Sequence, residues 1–242
     1  MAPAGYASWG EVAAASAIMA LGGAVQRVIG FGVVLVAVAP LAFLDDRLVP
    51  GPLLVAAGTI SVVMAWWGRD LLRWNEVIPS AFGLAMGSAI AAGILAVLPR
   101  DNLPFAFGVM LLIAVGASIS GLKFPFTPRS ILAAGTAAGI MGTIAGPHGP
   151  PIALVYQHQH GEKVRAALGA FFSMASPITF VALSSVGRFG IAEVLAGLFL
   201  IPGMFFGYWI GKPLLRWIDQ RRLRMGILAM CAASAIALML KG

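Results

Sequence analysis

The chain has 242 residues, of which 60% are hydrophobic and only 10% are charged. Because a soluble globular domain carries about 25% charged residues, this composition excludes a soluble enzyme and a soluble binding module. The net charge of +7 does not indicate a nucleic acid partner, since the basic residues lie in short links between apolar runs, where they orient membrane helices. We predict an all-α polytopic membrane protein whose surface faces the lipid bilayer.

Charge-poor runs indicate the ordinary membrane spans. They are residues 78–98, 103–122, 166–187 and 194–211, and each is near the ~20 apolar residues that a helix needs to cross a bilayer. Two longer elements, at residues 9–44 and 130–156, contain glycine-rich interruptions. We therefore expect each half of the chain to contain one broken helical element and about three ordinary transmembrane helices.

The first interruption contains the sequence QRVIGFG at residues 26–32. Arg27 lies 16 residues after Glu11 and 18 residues before Asp45, so it does not easily reach either interface along a regular helix. A charge inside the bilayer is costly and marks a functional site by default, and arginine offers a planar fork of donors to an anion. We expect Arg27, and Gln26 beside it, to contact a substrate. The alternatives for Arg27 are a structural pair with backbone carbonyls and a snorkelling side chain.

The second interruption is GTIAGPHGPP at residues 142–151. Glycine lets another group approach the backbone closely, and proline removes a backbone donor. Two half-helices that meet at such a break leave N–H groups without intrahelical partners, and these groups form an anion site. Breaks in both halves predict a substrate site near the midplane and transport by alternating access. The alternative is a kink that only helps helices to pack closely.

Polar side chains near the second interruption are further candidates. His148 could donate a hydrogen bond to the anion or exchange a coupling proton; the alternative is a packed, neutral histidine. Ser173, Ser176 and Thr179 follow in the next helix, although such hydroxyls often bond to their own helix. Gly197, by contrast, is expected to lie in an ordinary span, so Gly149→Val should abolish binding more thoroughly than Gly197→Val.

A repeat is indicated by glycines at similar offsets. The pairs are separated by 116, 120 and 118 residues, and they are Gly30 and Gly146, Gly87 and Gly207, and Gly108 and Gly226. This spacing is close to half the chain length. We predict an N-terminal repeat at residues 1–125 and a C-terminal repeat at residues 126–242, which together form one membrane transport domain.

The basic residues predict how the two repeats are oriented. If each broken element enters and leaves on one side, the repeats are inverted. Of the 16 Lys and Arg residues, 11 then lie on one side and 4 on the other, with Arg27 set aside as intramembrane. Parallel repeats give a weaker split of 9 to 6. The positive-inside rule therefore favours two inverted repeats, with both termini periplasmic.

These motifs carry a resemblance to a known family. QRVIGFG followed by LVPGP in the first half, and GTIAGPHGPP followed by VRAALGAFF in the second, resemble the TauE/SafE sulfite-exporter-like family. The resemblance covers nearly the whole chain and depends on the ordered recurrence of the motifs. It implies secondary transport of small sulfur-containing anions, such as sulfite and organosulfonates, across a bacterial inner membrane.

We expect one anion site between the two interruptions, formed by Gln26, Arg27, Gly30, Phe31, Gly32, Gly146, Pro147, His148, Gly149 and Ser173. His158 and His160 lack a third fixed ligand, so we expect no metal and no cofactor. An anion channel is one alternative. An intramembrane hydrolase is another, with Ser173 and His148 as nucleophile and base, but no orienting acid lies within the apolar runs.

Overall fold

The fold is all-helical in the computed structural model, which describes residues 8–29, 32–120, 124–156, 162–215 and 220–241. Within these ranges there are ten α-helices and no strand. The helices are α1 (Trp9–Ile29), α2 (Val33–Leu44), α3 (Gly51–Trp67), α4 (Trp74–Val97), α5 (Leu103–Ile119), α6 (Pro128–Ala145), α7 (Gly149–Tyr156), α8 (Glu162–Ser185), α9 (Ile191–Leu215) and α10 (Gln220–Lys241).

Four helical segments in the described part of the chain are long and apolar enough to cross a membrane. They are Asp46–Trp67, Trp74–Val97, Ala166–Ser185 and Ile191–Gly211. A chain with this many long apolar helices buries their surface in lipid and against one another. The prediction of a polytopic helical membrane protein is therefore confirmed.

Both broken helical elements occur where the glycines and prolines predict them. Gly32 precedes α2 with φ 124°, and Gly146 follows α6 with φ 107°. Residues with a Cβ rarely adopt such φ angles, so glycine at these two positions lets the chain turn sharply. The start of α6 is fixed by Thr127, whose Oγ1 accepts a hydrogen bond from the Ser130 N–H at 3.2 Å.

Helices α4 and α6 run parallel in close contact. Gly83 and Gly87 of α4 lie against the backbone carbonyl groups of Leu132 and Thr136 of α6, where a side chain would have no room. Small residues let two membrane helices approach until their backbones touch. Helix α6, the first helix of the α6–α7 element, is therefore held along α4.

Helices α1 and α9 repeat this arrangement. Gly203 and Gly207 of α9 lie against the carbonyl groups of Ser16 and Ala20 of α1. These glycines follow the two glycines of α4 by 120 residues. Matched packing at a constant offset supports the predicted repeat and holds the α1–α2 element along α9.

Each broken element returns to the end of the fold at which it begins. The rings of Phe126, before α6, and Tyr156, at the end of α7, pack with their centroids 5.2 Å apart. At the other end of the fold, the chain leaves α2 and reaches Gly51, which lies beside Glu193 at the start of α9. Because α9 runs parallel to α1, this is also the end at which α1 begins. Two helical hairpins, α1–α2 and α6–α7, therefore enter the fold from opposite ends.

Helices α3 and α8 lie antiparallel between the hairpins. Gly58 of α3 is next to Ser176 of α8, whereas Gly68, further along α3, is next to Ala166, earlier in α8. In the predicted repeat α3 corresponds to α8, so their antiparallel packing supports the inverted orientation. The orientation and the division at residues 125 and 126 stay predictions.

Three further glycines, Gly108, Gly226 and Gly197, differ from one another in their surroundings. A Cβ at Gly108 would lie 2.6 Å from the carbonyl oxygen of Ala235 in α10, whereas no described atom lies within 4 Å of the Cβ position at Gly226. The two glycines of this pair therefore share no packing role. Gly197 lies in an apolar span, Ile191–Gly211, as expected, and a Cβ there would lie 2.7 Å from the Pro52 carbonyl oxygen of α3. Charge-poor sequence marks a span but does not show which of its faces meets another helix.

The α4–α6 contact predicts opposite effects for two glycines of α4. Gly87→Ala forces the two backbones apart, and we expect it to lower the free energy of unfolding by about 1–3 kcal/mol, the usual cost of overpacking. Gly93→Ala is the matched control, since no atom lies within 4 Å of its Cβ position, and alanine favours the helix. Thermal unfolding in detergent measures both. Equal stability of the two variants would contradict the close contact.

Candidate functional site

The tips of the two hairpins meet at a cavity of about 40 Å³ near the middle of α3 and α8. By the same measure one water needs about 10–15 Å³, so the space fits roughly three waters or one small oxyanion. The lining comes from both hairpins, α3 and α8; it comprises Gln26, Gly32, Val33, Val34, Leu35, Leu54, Ala57, Ser61, Pro147, His148, Gly149, Pro150, Phe172, Ala175 and Ser176. None of these described lining residues is acidic, and none carries a permanent positive charge.

The N-terminus of α2 lies at this cavity. The Val33 N–H donates to Gln26 Oε1 at 3.1 Å, and the first hydrogen bond along the helix is made by the Val36 N–H. The N–H groups of Val34 and Leu35 come between those of Val33 and Val36 in the chain and have no acceptor within the helix. Both residues line the cavity, where the partial positive charge of the helix end favours an anion.

The N-terminus of α7 supplies fewer donors. Gly149 is its first residue and is followed by Pro150 and Pro151, which have no N–H. Of the first three residues of α7, only Gly149 can therefore donate from the backbone. Backbone N–H donors were expected at both interruptions, but the start of α2 provides more of them than the start of α7.

Gln26 joins three elements around the cavity. Its side chain is 2% exposed. Oε1 caps α2 through the Val33 N–H, and Nε2 lies 3.5 Å from the sulfur of Met64 in α3. Gln26 therefore fixes the start of α2 relative to α1 and α3, as a neutral side chain that adds no charge to the site.

His148 faces the cavity from the second interruption. Its ring is buried, and Gly142 leaves the space for it, since a side chain there would meet the imidazole. Nε2 lies 3.0 Å from Thr179 Oγ1. Thr179 Oγ1 is 3.5 Å from Thr143 Oγ1, which donates to Ser88 Oγ at 2.9 Å. The histidine is thus the inner end of a series of buried hydroxyl groups.

Arg27 lies away from the cavity. Its Nη1 donates to the hydroxyl of Tyr208 at 3.0 Å, and its Cζ lies 4.9 Å from the centroid of the same ring. The charge also lies in the last turn of α1, where the helix dipole favours a cation. Arg27 therefore has a structural partner, the Tyr208 ring in place of the backbone carbonyls of the alternative, and this role and the expected substrate contact make different predictions for Arg27→Ala.

Ser173 also lies outside the cavity lining. Its hydroxyl donates to the Ala170 carbonyl of its own helix at 2.8 Å. Ser176, nearly one turn later, lines the cavity and donates to the Leu54 carbonyl at 3.3 Å. Because His148 contacts Thr179 and not Ser173, the serine–histidine pair that a hydrolase would need is not formed.

The cavity thus brings together five of the ten predicted site residues, which are Gln26, Gly32, Pro147, His148 and Gly149. Arg27, Gly146 and Ser173 are not among the lining residues. Gly30 and Phe31 lie outside the described residues, as do His158 and His160. In the described part of the chain, no group of three His, Cys, Asp or Glu side chains could hold a metal.

Sequence reasoning missed two groups of residues at this site. The backbone donors of Val34 and Leu35 have no side-chain signature, so only the geometry shows them. Thr143 and Ser88 could have been found, because each is a polar residue inside a charge-free run, and Thr143 lies within the interruption itself.

The position of Arg27 predicts that Arg27→Ala affects stability more than affinity. Losing a hydrogen bond to a charged group costs about 1.5–3 kcal/mol, so we expect a lower melting temperature with an unchanged sulfite affinity in the folded protein. Tyr208→Phe should cause part of the same loss, since it keeps the ring and removes only the hydroxyl. Thermal shift with and without sulfite measures both effects. A large loss of affinity in folded Arg27→Ala protein would assign Arg27 to the substrate.

Comparison with known proteins identifies the family. No curated protein and no solved structure matches the chain. The model of the family described as "Sulfite exporter TauE/SafE" matches residues 15–238, which is nearly the whole chain and includes both hairpins. This is the family that the motifs resemble, and it is a family of membrane transporters. The chain therefore belongs to the TauE/SafE sulfite exporter family.

Proposed function

We propose that the protein is a secondary transporter of small sulfur-containing anions, sulfite or organosulfonates. The anion binds between the tips of the α1–α2 and α6–α7 hairpins, and transport proceeds by alternating access. The observation that carries this proposal is the position of the N-terminus of α2, whose first three residues line a cavity at the centre of a helical membrane protein. Membership of the sulfite exporter family supports the class of substrate.

The size of the cavity favours a compact anion. Its volume of about 40 Å³ suits one sulfur atom with three oxygens better than a long organic sulfonate. The N–H groups of Val34, Leu35 and Gly149 are as many donors as sulfite has oxygens. Partial charges at helix ends hold an anion without a fixed counter-ion, so the site favours an anion of low charge.

The arrangement of the hairpins supports alternating access. Each hairpin enters from one end and contributes its tip to the same cavity, so moving either hairpin opens the cavity toward a different side. Inverted transporters place their substrate between such discontinuous helices. Family membership supports a bacterial inner membrane, and the distribution of basic residues supports both termini in the periplasm.

The proposed function is tested by counterflow in proteoliposomes. Vesicles loaded with unlabelled sulfite should accumulate radiolabelled sulfite from outside, with saturation, because a carrier exchanges one bound anion for another. Vesicles without protein are the control. Flux that does not saturate and shows no counterflow would indicate a channel, and no flux of sulfite or methanesulfonate above the control would refute the proposal.

The capping of α2 by Gln26 predicts the effect of one added charge. Gln26→Glu presents a carboxylate to the Val33 N–H, stabilises the helix end and repels a second anion. We expect sulfite affinity to fall at least about tenfold, together with a lower melting temperature, because the buried carboxylate has no cationic partner at the cavity. Gln26→Leu is the matched control, since it has similar size and no charge. If Gln26→Glu exchanges sulfite as the wild type does, the anion does not bind at the start of α2.

A further inference from the structure

We infer that His148, Thr179, Thr143 and Ser88 form a proton path between the substrate cavity and a groove on the side of α4 and α8, so that one proton moves with each anion. This inference rests on the proposed transport function and adds the coupling ion and its route.

The path is continuous and shielded from solvent. Its three steps join His148 Nε2 to Thr179 Oγ1 at 3.0 Å, Thr179 Oγ1 to Thr143 Oγ1 at 3.5 Å, and Thr143 Oγ1 to Ser88 Oγ at 2.9 Å. The four side chains are between 0% and 3% exposed. They come from the second interruption and from α8, α6 and α4, so the path crosses the fold from its centre toward one side.

The outer end of the path opens onto a second space. Ser88 lines a groove of about 610 Å³ between α4 and α8. The groove extends to Ser185, the last residue of α8. Ser88 is therefore the outermost hydroxyl of the path, and water that enters this largely apolar groove from the end of α8 would complete the route to solvent.

These hydroxyls differ from the other hydroxyls of the membrane helices. Most of the others donate to a carbonyl three or four residues earlier in their own helix, as expected for Ser and Thr in helices; they are Thr59, Ser61, Ser80, Thr136, Ser173 and Ser185. Thr143 and Thr179 contact polar side chains of other helices instead. A series of hydroxyls that crosses three elements provides the contacts through which protons pass.

His148 is the group in this region that can hold the proton. It is the only acidic or basic side chain within residues 33–44, 51–67, 77–97, 103–119, 130–155 and 166–185. The other polar side chains at the cavity are the neutral Gln26, Ser61 and Ser176. Arg27 on α1 is held by Tyr208 and does not line the cavity.

The anion makes protonation of His148 favourable. A buried imidazolium without a partner is costly, so the ring is neutral while the cavity is empty. An anion at the start of α2 places a negative charge across the same cavity, and an opposite charge nearby favours the charged form. Binding of the anion and uptake of the proton therefore promote each other.

The proton transfer balances without any other reactant. Water in the groove gives a proton to Ser88, Ser88 gives its own to Thr143, Thr143 gives its own to Thr179, and Thr179 gives its own to His148 Nε2. Release follows the reverse order, in the direction in which Thr143 already donates to Ser88. Rotation of the hydroxyl groups resets the path after each passage.

The test compares two modes of sulfite transport in proteoliposomes that contain the full chain. In counterflow at equal pH, the protein exchanges one bound anion for another, and no net movement of protons is needed. Uptake driven by a pH gradient needs net movement of protons. We expect Thr179→Val and Thr143→Val to lower gradient-driven uptake of radiolabelled sulfite at least about tenfold, while counterflow stays close to that of the wild type. Thr179→Ser and Thr143→Ser, which keep the hydroxyl, should restore gradient-driven uptake.

Matched controls separate the path from general effects of mutation. Thr136→Val lies in α6 like Thr143, and Ser80→Ala lies in α4 like Ser88, but both remove hydroxyls that bond only to their own helix. Ser88→Ala is the smallest change to the path, and it keeps the test valid if a valine variant does not fold. We expect Ser88→Ala to lose gradient-driven uptake and Ser80→Ala to keep it.

Three outcomes separate this inference from the proposed function. Wild-type protein that shows no counterflow of sulfite would refute the proposed function itself. Wild-type protein that exchanges sulfite but ignores the pH gradient would leave transport intact and overturn the proton path. Gradient-driven uptake by Thr179→Val, Thr143→Val and Ser88→Ala at the level of Thr136→Val and Ser80→Ala would also overturn it.

Discussion

The satisfaction of backbone hydrogen bonds inside a bilayer is the constraint on which the rest of this structure depends. An unbroken helix meets it alone, because every N–H and C=O group finds a partner within the segment. The breaks at Gly32 and Gly146 leave helix-end groups without such partners, and these are tolerated only where protein or a polar cavity surrounds them. Both hairpin tips therefore lie at the centre of the fold, where they meet α3 and α8 and form the cavity.

Close glycine contacts provide the enclosure that the breaks require. On one side Gly203 and Gly207 bring α9 onto the backbone of α1, and on the other Gly83 and Gly87 bring α4 onto that of α6. In lipid there is little hydrophobic force between helices, so contact area and van der Waals packing determine which helices associate. The long helix of each hairpin is thus fixed along its length, whereas the tip faces a cavity.

The sequence predicts local backbone features more reliably than the partners of side chains. Glycine and proline act on the chain where they occur, so both breaks could be placed before the structure was known. The partner of Arg27 could not, because Tyr208 is 181 residues away and meets it only when α1 packs on α9. The sequence also could not show that Ser176 and not Ser173 lines the cavity, because this depends on how α8 is rotated toward α3.

The absence of a permanent charge from the described lining of the cavity fits the proposed carrier function. A carrier returns through its closed state without substrate, and a fixed arginine in the cavity would then be a buried charge without a partner, which is strongly unfavourable. Arg27 avoids this cost because Tyr208 and the end of α1 stabilise its charge elsewhere. Under the proton path inferred above, a histidine that gains its proton only when the anion is bound would have the same advantage. The loaded site then contains a matched pair of charges and the empty site contains none, so both states can close in the low-dielectric interior.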